Sequence, residues 1–134
     1  MNTIPAEMVT IAGLAVPAHY GDPAAEYRAG RAGAVAVRRS HEGRLRAVGR
    51  DRLDLLHRMS TQDMQNLAVG EARETVLTTP IARIVDVLWV LNLGETAVCL
   101  AGVGRATAVR RWLAGYIFFR DEVKLLDIGP ETGQ

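Results

Sequence analysis

"RETVLTTPIARIVDVLWVLNLGETAVCLAG", residues 73–102, holds three strand-like runs, "RETVLTT", "ARIVDVLWVLNL" and "TAVCLAG", parted only by the breaks "PI" and "GE". Each run is rich in β-branched and large apolar residues, the composition that fits a pleated, partly buried surface. Breaks this short cannot carry a crossover helix, so the three runs are predicted to be antiparallel neighbours in one sheet. The middle run is apolar on both faces: Arg83, Val85, Val87, Trp89 and Leu91 alternate with Ile84, Asp86, Leu88 and Val90. That pattern predicts a central strand covered on both sides. Asp86 is the one carboxylate within it, and removing an unpaired carboxylate from water costs several kcal/mol. It can be neutralised by Arg83 or by an arginine from a helix, or serve as an inward charge that blunts a sheet edge. It can also be a working acid or base. The pattern alone leaves these readings open.

Further elements follow on either side. In "GDPAAEYRAGRAG", residues 21–33, Asp22 is placed as a helix N-cap with Pro23 at the first helical position, and Gly30 and Gly33 supply the stop. "AVAVRRS", "HEG" and "RLRAVG", residues 34–49, read as a β-hairpin around a glycine-containing turn. "RDRLDLLHRMS", residues 50–60, repeats leucines at helical spacing, with Asp51 and Asp54 at its positive end. After a connector, residues 61–72, come the three strands. A second amphipathic helix follows at residues 105–116 with Val109, Trp112, Leu113 and Tyr116 on one face, and then a last strand, "EVKLLDI", residues 122–128. The order β-β-α-β-β-β-α-β, after a short leading helix, predicts an α+β domain: a mostly antiparallel sheet with packed helices. Residues 1–21 read as an N-terminal extension, 22–128 as the domain and 129–134 as a flexible tail.

The chain has 134 residues, 49% hydrophobic and 23% charged, with a formal net charge of +1, which suits one globular domain. That charge gives no reason to expect a nucleic-acid or anionic-membrane partner. Cys99 is the only cysteine, which excludes an internal disulfide, suits a reducing cytoplasm and, in its strand, reads as an inert buried thiol. The first twenty residues have no basic leader and no apolar stretch approaches a membrane span, so a cytoplasmic, soluble protein is expected. His19, His41 and His57 lie in different elements without ligand-like spacing, so no metal is expected. Ser40 and Ser60, the only serines, sit in no nucleophile elbow. "GVGRAT", residues 102–107, resembles part of a dinucleotide fingerprint, but Thr107 stands at its third small position and the strands before it are hairpin-linked.

Several segments in order resemble the folate-binding aminomethyltransferase superfamily, which includes the glycine-cleavage T-protein and the YgfZ-type proteins of iron–sulfur cluster maturation. "EYRAGRAGAVAV" is similar to the family's opening E-Y-x-x-x-R segment, and "VGRDRLDLLHRMSTQD" to V-x-G-x-D-A-x-x-F-L-x-x-x-x-T-N-D. "LAVGEARETVLTTPIARIVDVL" is similar to L-x-x-G-x-x-x-Y-x-x-x-L…G-x-I-x-D-x-L, and Trp112 falls where the family has a W-L helix. The likeness covers roughly residues 16–127. It implies one β-β-α-β-β-β-α unit, half of a duplicated folate-binding domain. It also implies tetrahydrofolate or another reduced folate as ligand, with Asp86 at the first position of the family's Asp-Asp pair and Val87 at the second. Asp86 is then the candidate catalytic base, acting on the folate amine that carries the one-carbon unit. Met59, Thr61 and Gln62, in the turn matching T-N-D, join Asp86 as candidate folate-binding residues.

Departures temper the activity. Gly102, Val103, Gly104 and Arg105 replace the family's Asn-Ala-Ala-Asn, removing both amides; the K-G-C-Y-x-G-Q signature of the YgfZ branch is absent, and Cys99 does not replace it. As an isolated chain the protein is expected to bind rather than turn over. A single unit leaves an apolar face and an edge open, so a two-fold homodimer is expected, either side by side or with the strand of residues 122–128 exchanged. The alternatives are a non-catalytic dimerisation module that has lost the ligand, or a piece of a longer family member.

Overall fold

A computed structural model describes residues 7–132 of the chain. Its main sheet runs β4 (Ala72–Thr78), β5 (Ile84–Asn92), β6 (Thr96–Val103), β3 (Glu42–Val48), β7 (Lys124–Asp127), antiparallel throughout. The short breaks make tight hairpins as expected: Gly94 takes φ +85° between β5 and β6, and Ala82 φ +60° between β4 and β5. Two helices, α2 (Arg52–Met59) and α3 (Ala106–Ala114), pack on one face. Leu56, Val109 and Leu113 from the helices meet Leu77, Leu88, Val90, Cys99 and Leu45 from the strands, all fully buried. The fold is α+β with a mostly antiparallel sheet.

Three features depart from the expected plan. The alternating segment "AVAVRRS", residues 34–40, is not a strand: it pairs with nothing among the described residues, and Val37 is 69% exposed. Alternation marks a segment that fits a sheet, but a strand exists only with a hydrogen-bonding partner. Only β3 of the anticipated hairpin forms, and it draws its partners from β6 and β7. Secondly, the N-terminal region contains a hairpin of its own, β1 (Glu7–Ile11) with β2 (Leu14–His19). Ala12 at φ 50° and Gly13 at φ 80° form its two-residue loop, matching the twist of the flanking strands. Pro17 is accommodated because β2 pairs with β1 alone.

The third departure concerns β5. It is neither central nor doubly covered: Leu88 and Val90 point into the core, while Val87 is 43% and Trp89 50% exposed on the opposite face. At the far end of that face Arg44 is 4% exposed, donating to Gly129 O (2.9 Å), Thr132 O (2.7 Å) and Thr132 Oγ1 (2.8 Å). Residues 129–132, anticipated as a tail, are thus tied to β3. Positions 133–134 and 1–6 lie outside the described residues.

α1 (Pro23–Ala32) is capped as its sequence predicts, with Asp22 Oδ1 accepting from Ala24 N and Ala25 N at 3.0 Å each. None of its residues is buried.

Candidate functional site

Asp86 lies just after an irregularity in the β4–β5 ladder. Leu77 pairs with Asp86 and Thr78 with Ile84, leaving Val85 as the extra residue of a bulge. The β5–β6 pairing runs from Asn92↔Ala97 to Trp89↔Leu100 and then stops. Beyond that point the Asp86 carboxylate bridges the parted strands. Oδ2 accepts from Gly102 N at 3.3 Å and Oδ1 accepts from its neighbour Val87 N at 2.9 Å. Arg105, at the start of α3, sets Nε 3.7 Å from Oδ2 and donates an NH2 hydrogen to Val85 O at 3.0 Å. The counter-ion is therefore a helix-terminal arginine and not Arg83.

Position 102 leaves little room for a side chain in this arrangement. A Cβ there would stand 3.1 Å from Asp86 Oδ1 and 3.2 Å from Arg105 Cγ. The second glycine of "GVGRAT", Gly104, takes φ +66° and donates its N–H to His41 O at 3.1 Å. Both glycines serve the strand-to-helix turn and the carboxylate beside it.

The side chain of Asp86 is 12% exposed and faces away from the open sheet surface. That surface carries a shallow groove of about 330 Å³ over β4, β5 and β6. Val87, Trp89 and Leu100 form its floor, Glu74 stands at one side and Glu42, bonded by Arg39 Nε at 2.8 Å, at the other, and Gly102 closes the end next to Asp86. Pairing places Glu74, Trp89 and Leu100 in one row across three strands. Asp86 thus stands behind the groove, joined to its end wall through the Gly102 amide.

The connector residues fall elsewhere. Thr61 and Gln62 clip onto the outer edge of β4: Thr61 N donates to Val76 O at 3.1 Å, Val76 N to Thr61 Oγ1 at 3.3 Å, and Gln62 N to Thr75 Oγ1 at 3.2 Å. Met59 packs half-buried against the core and lines a separate hollow with Ser60, Thr78 and Pro80. Ser60 and Asp86 both face Leu77 across the sheet, on opposite sides of β4. Two strand spacings, about 10 Å, separate them. The structure therefore brings Met59, Thr61 and Gln62 to the level of Asp86 without placing them in one cavity with it.

Trp89 and Glu74 were not named as site residues from the sequence, and Gly102 entered only in the glycine turn and as a departure from the family pattern. Their signal lay in the second apolar face of β5, which read as a face covered by other parts of the chain.

Cys99 is buried on the helix-facing side, and burial pushes its thiol up to about 12, leaving it protonated and inert at neutral pH. Among the described residues no group of His, Cys, Asp and Glu is placed to hold a metal, and no helix is long and apolar enough to cross a membrane.

Comparison with known proteins gives these side chains a lineage. The GCVT N-terminal domain family matches residues 1–134. A chloroplast protein of Arabidopsis thaliana, provisionally named a transferase, is 33% identical over 100 residues, covering 75% of this chain and 23% of its own length. The aminomethyltransferase of Geobacillus kaustophilus is 28% identical over 131 residues, 96% of this chain and 35% of that enzyme. The solved glycine cleavage system aminomethyltransferase T from Bartonella henselae superposes with a TM-score of 0.77 at 24% identity, over 92% of this chain and 34% of that one, and so shares the fold. The chain thus spans about a third or less of the proteins it matches. The strand order, the helices on one face and the match along the whole sequence agree: the chain belongs to the GCVT N-terminal domain family.

Proposed function

We propose that this domain binds a reduced folate of the tetrahydrofolate class, as a unit of an aminomethyltransferase-type protein, with the pteridine over the exposed ring of Trp89 and Asp86 behind the end wall at Gly102. The observation that carries the reading is the groove on the open sheet face. It offers a flat apolar floor, an aromatic ring at its centre and carboxylates at its sides, one of them paired with Arg39, and the chain's relatives include aminomethyltransferases. An offset-stacked ring pair is favourable beyond its buried area. The carboxylates suit the N–H donors along one edge of a pterin.

Asp86 acts here as a group held by geometry. Two backbone N–H groups fix its carboxylate, and each oxygen keeps a further lone pair for a ligand amine. In a folate complex it holds the Gly102 end wall from behind, and where a ligand amine reaches past Gly102 it takes the proton as general base. Thr61 and Gln62 serve by fixing the outer edge of β4, and Met59 by packing against the core beside it. Cytoplasm, or another reducing compartment, suits the lone protonated thiol. The T-protein branch is the one that the aminomethyltransferase relatives favour.

Asp86→Asn tests the site. Loss of affinity for 5-formyltetrahydrofolate in a variant that stays folded supports a ligand role, whereas lowered stability with affinity retained supports a purely structural carboxylate.

The open face also favours a second reading. Val87 and Trp89 present apolar area that a partner unit would cover, and a two-fold homodimer is the economical partner. Native mass spectrometry at micromolar concentration checks it: a stable monomer rules out the homodimer.

A further inference from the structure

Between the N-terminal hairpin and the segment that leads into β3 lies a cavity of about 330 Å³, separate from the groove. Its walls divide by chemistry. Leu14, Val16 and Pro17 of β2 supply an apolar floor, and Arg38, Ser40 and His41 supply the polar rim; no Asp or Glu is among the described residues that line it. Arg38 Nε donates to Ser40 Oγ at 2.8 Å, which orients the guanidinium, while its two terminal nitrogens have no partner among the described residues. His41 Nδ1 is shut off from solvent and lacks a hydrogen-bond partner among the described residues, although its backbone oxygen is fixed by Gly104 N at 3.1 Å. Buried polar atoms are normally partnered, so an unpartnered imidazole nitrogen beside a cavity marks a place where a ligand or water completes the bonding.

We infer that this cavity is a binding site for a small aliphatic carboxylate, its carboxylate on Arg38 and Ser40 and its hydrocarbon part on Leu14, Val16 and Pro17. A guanidinium presents paired N–H donors that match the two oxygens of a carboxylate. A cationic rim without a competing acid selects an anion. An apolar floor favours a hydrocarbon tail over a bare inorganic ion, and the volume falls in the usual range for small-ligand pockets. None of these residues belongs to the folate groove, so the two sites stand or fall separately.

Hexanoate is the probe, followed by ¹H–¹⁵N NMR shifts of the whole chain. The expected result is saturable shifts at Leu14, Val16, Ser40 and His41, with an affinity at least tenfold weaker in Arg38→Met and unchanged in Arg28→Met, an arginine on α1 outside the cavity. Hexanamide, of the same shape without the charge, binds at least tenfold more weakly if the rim selects the anion. Equal binding of the amide, binding insensitive to Arg38→Met, or inorganic phosphate binding as well as hexanoate would each overturn the assignment. Arg38 is exposed and its loss leaves the core intact, so an absence of shifts in the parent chain also overturns it.

Discussion

Two residues carry most of the local detail around the groove. Asp86→Asn keeps the shape of the side chain but turns one acceptor oxygen into an NH2 group that faces a backbone N–H donor. The expected cost is about 1–3 kcal/mol, the usual penalty for an unsatisfied, largely buried polar group, read as a fall in the urea midpoint. Arg105→Gln removes a half-exposed partner 3.7 Å away together with its hydrogen bond to Val85 O, and should cost about 1 kcal/mol. Gly49 makes a sharper test. Its φ is +107° and a Cβ there would lie 1.9 Å from Glu122 O, so Gly49→Ala must break the contact between the end of β3 and the loop before β7. A loss of about 3 kcal/mol in chemical denaturation is expected from strain and displaced backbone together. From the sequence, Asp86 was legible as an anomaly, whereas Gly102 and Gly49 were only glycines, since what a Cβ would strike is set by distant strands.

Elements were legible where periodicity met a partner inside the chain. α2, α3 and β4 to β7 follow the sequence pattern because their apolar faces meet in one core. The segment at 34–40 has the right alternation and no partner among the described residues, and β2 has a proline yet pairs, which shows that pairing decides strand identity over propensity. Ion pairs then tie α2 to the loop before β7. Asp121 accepts from Phe118 N at 2.9 Å and from Arg58 at 2.6 Å, and Arg58 also pairs with Asp54 and stacks over Phe118. Asp51 is bonded by Arg50 and by Glu122 N at 2.9 Å. The Phe118 amide and Arg58 hold Asp121 below the usual carboxylate range, and Arg50 with the Glu122 amide does the same for Asp51. Groups with lowered folded values stabilise the protein above their unfolded value, about 4, and lose that contribution as pH falls through the lowered values. Melting temperature should therefore fall between about pH 5 and 3, and Asp121→Asn should show a shallower fall from a lower starting point. A parallel pH profile for the variant would contradict that role for the loop.

At the scale of the whole molecule the fold is a sheet with one finished face. Helices cover the side of Leu88 and Val90, residues 129–132 cover the Arg44 end of the other side, and the remainder is the groove floored by Trp89. The sequence could not distinguish a covered face from an open one, because Val87 and Trp89 are as apolar as Leu88 and Val90 and burial depends on what lies opposite. Cys99 reports on the finished side. With its thiol raised to about 12, it should resist iodoacetamide in the native protein at pH 8 and react only on unfolding. Native labelling at the rate of a free thiol would mean that the core opens locally. Trp89 reports on the open side, and replacing Trp112 with Phe leaves it the only tryptophan. Titrating that variant with 5-formyltetrahydrofolate and following fluorescence asks directly whether the groove holds a reduced folate. A folate stacked on Trp89 predicts saturable quenching with a dissociation constant below about 1 mM, equivalent to roughly 4 kcal/mol of binding. A signal that only drifts linearly with added folate would contradict it.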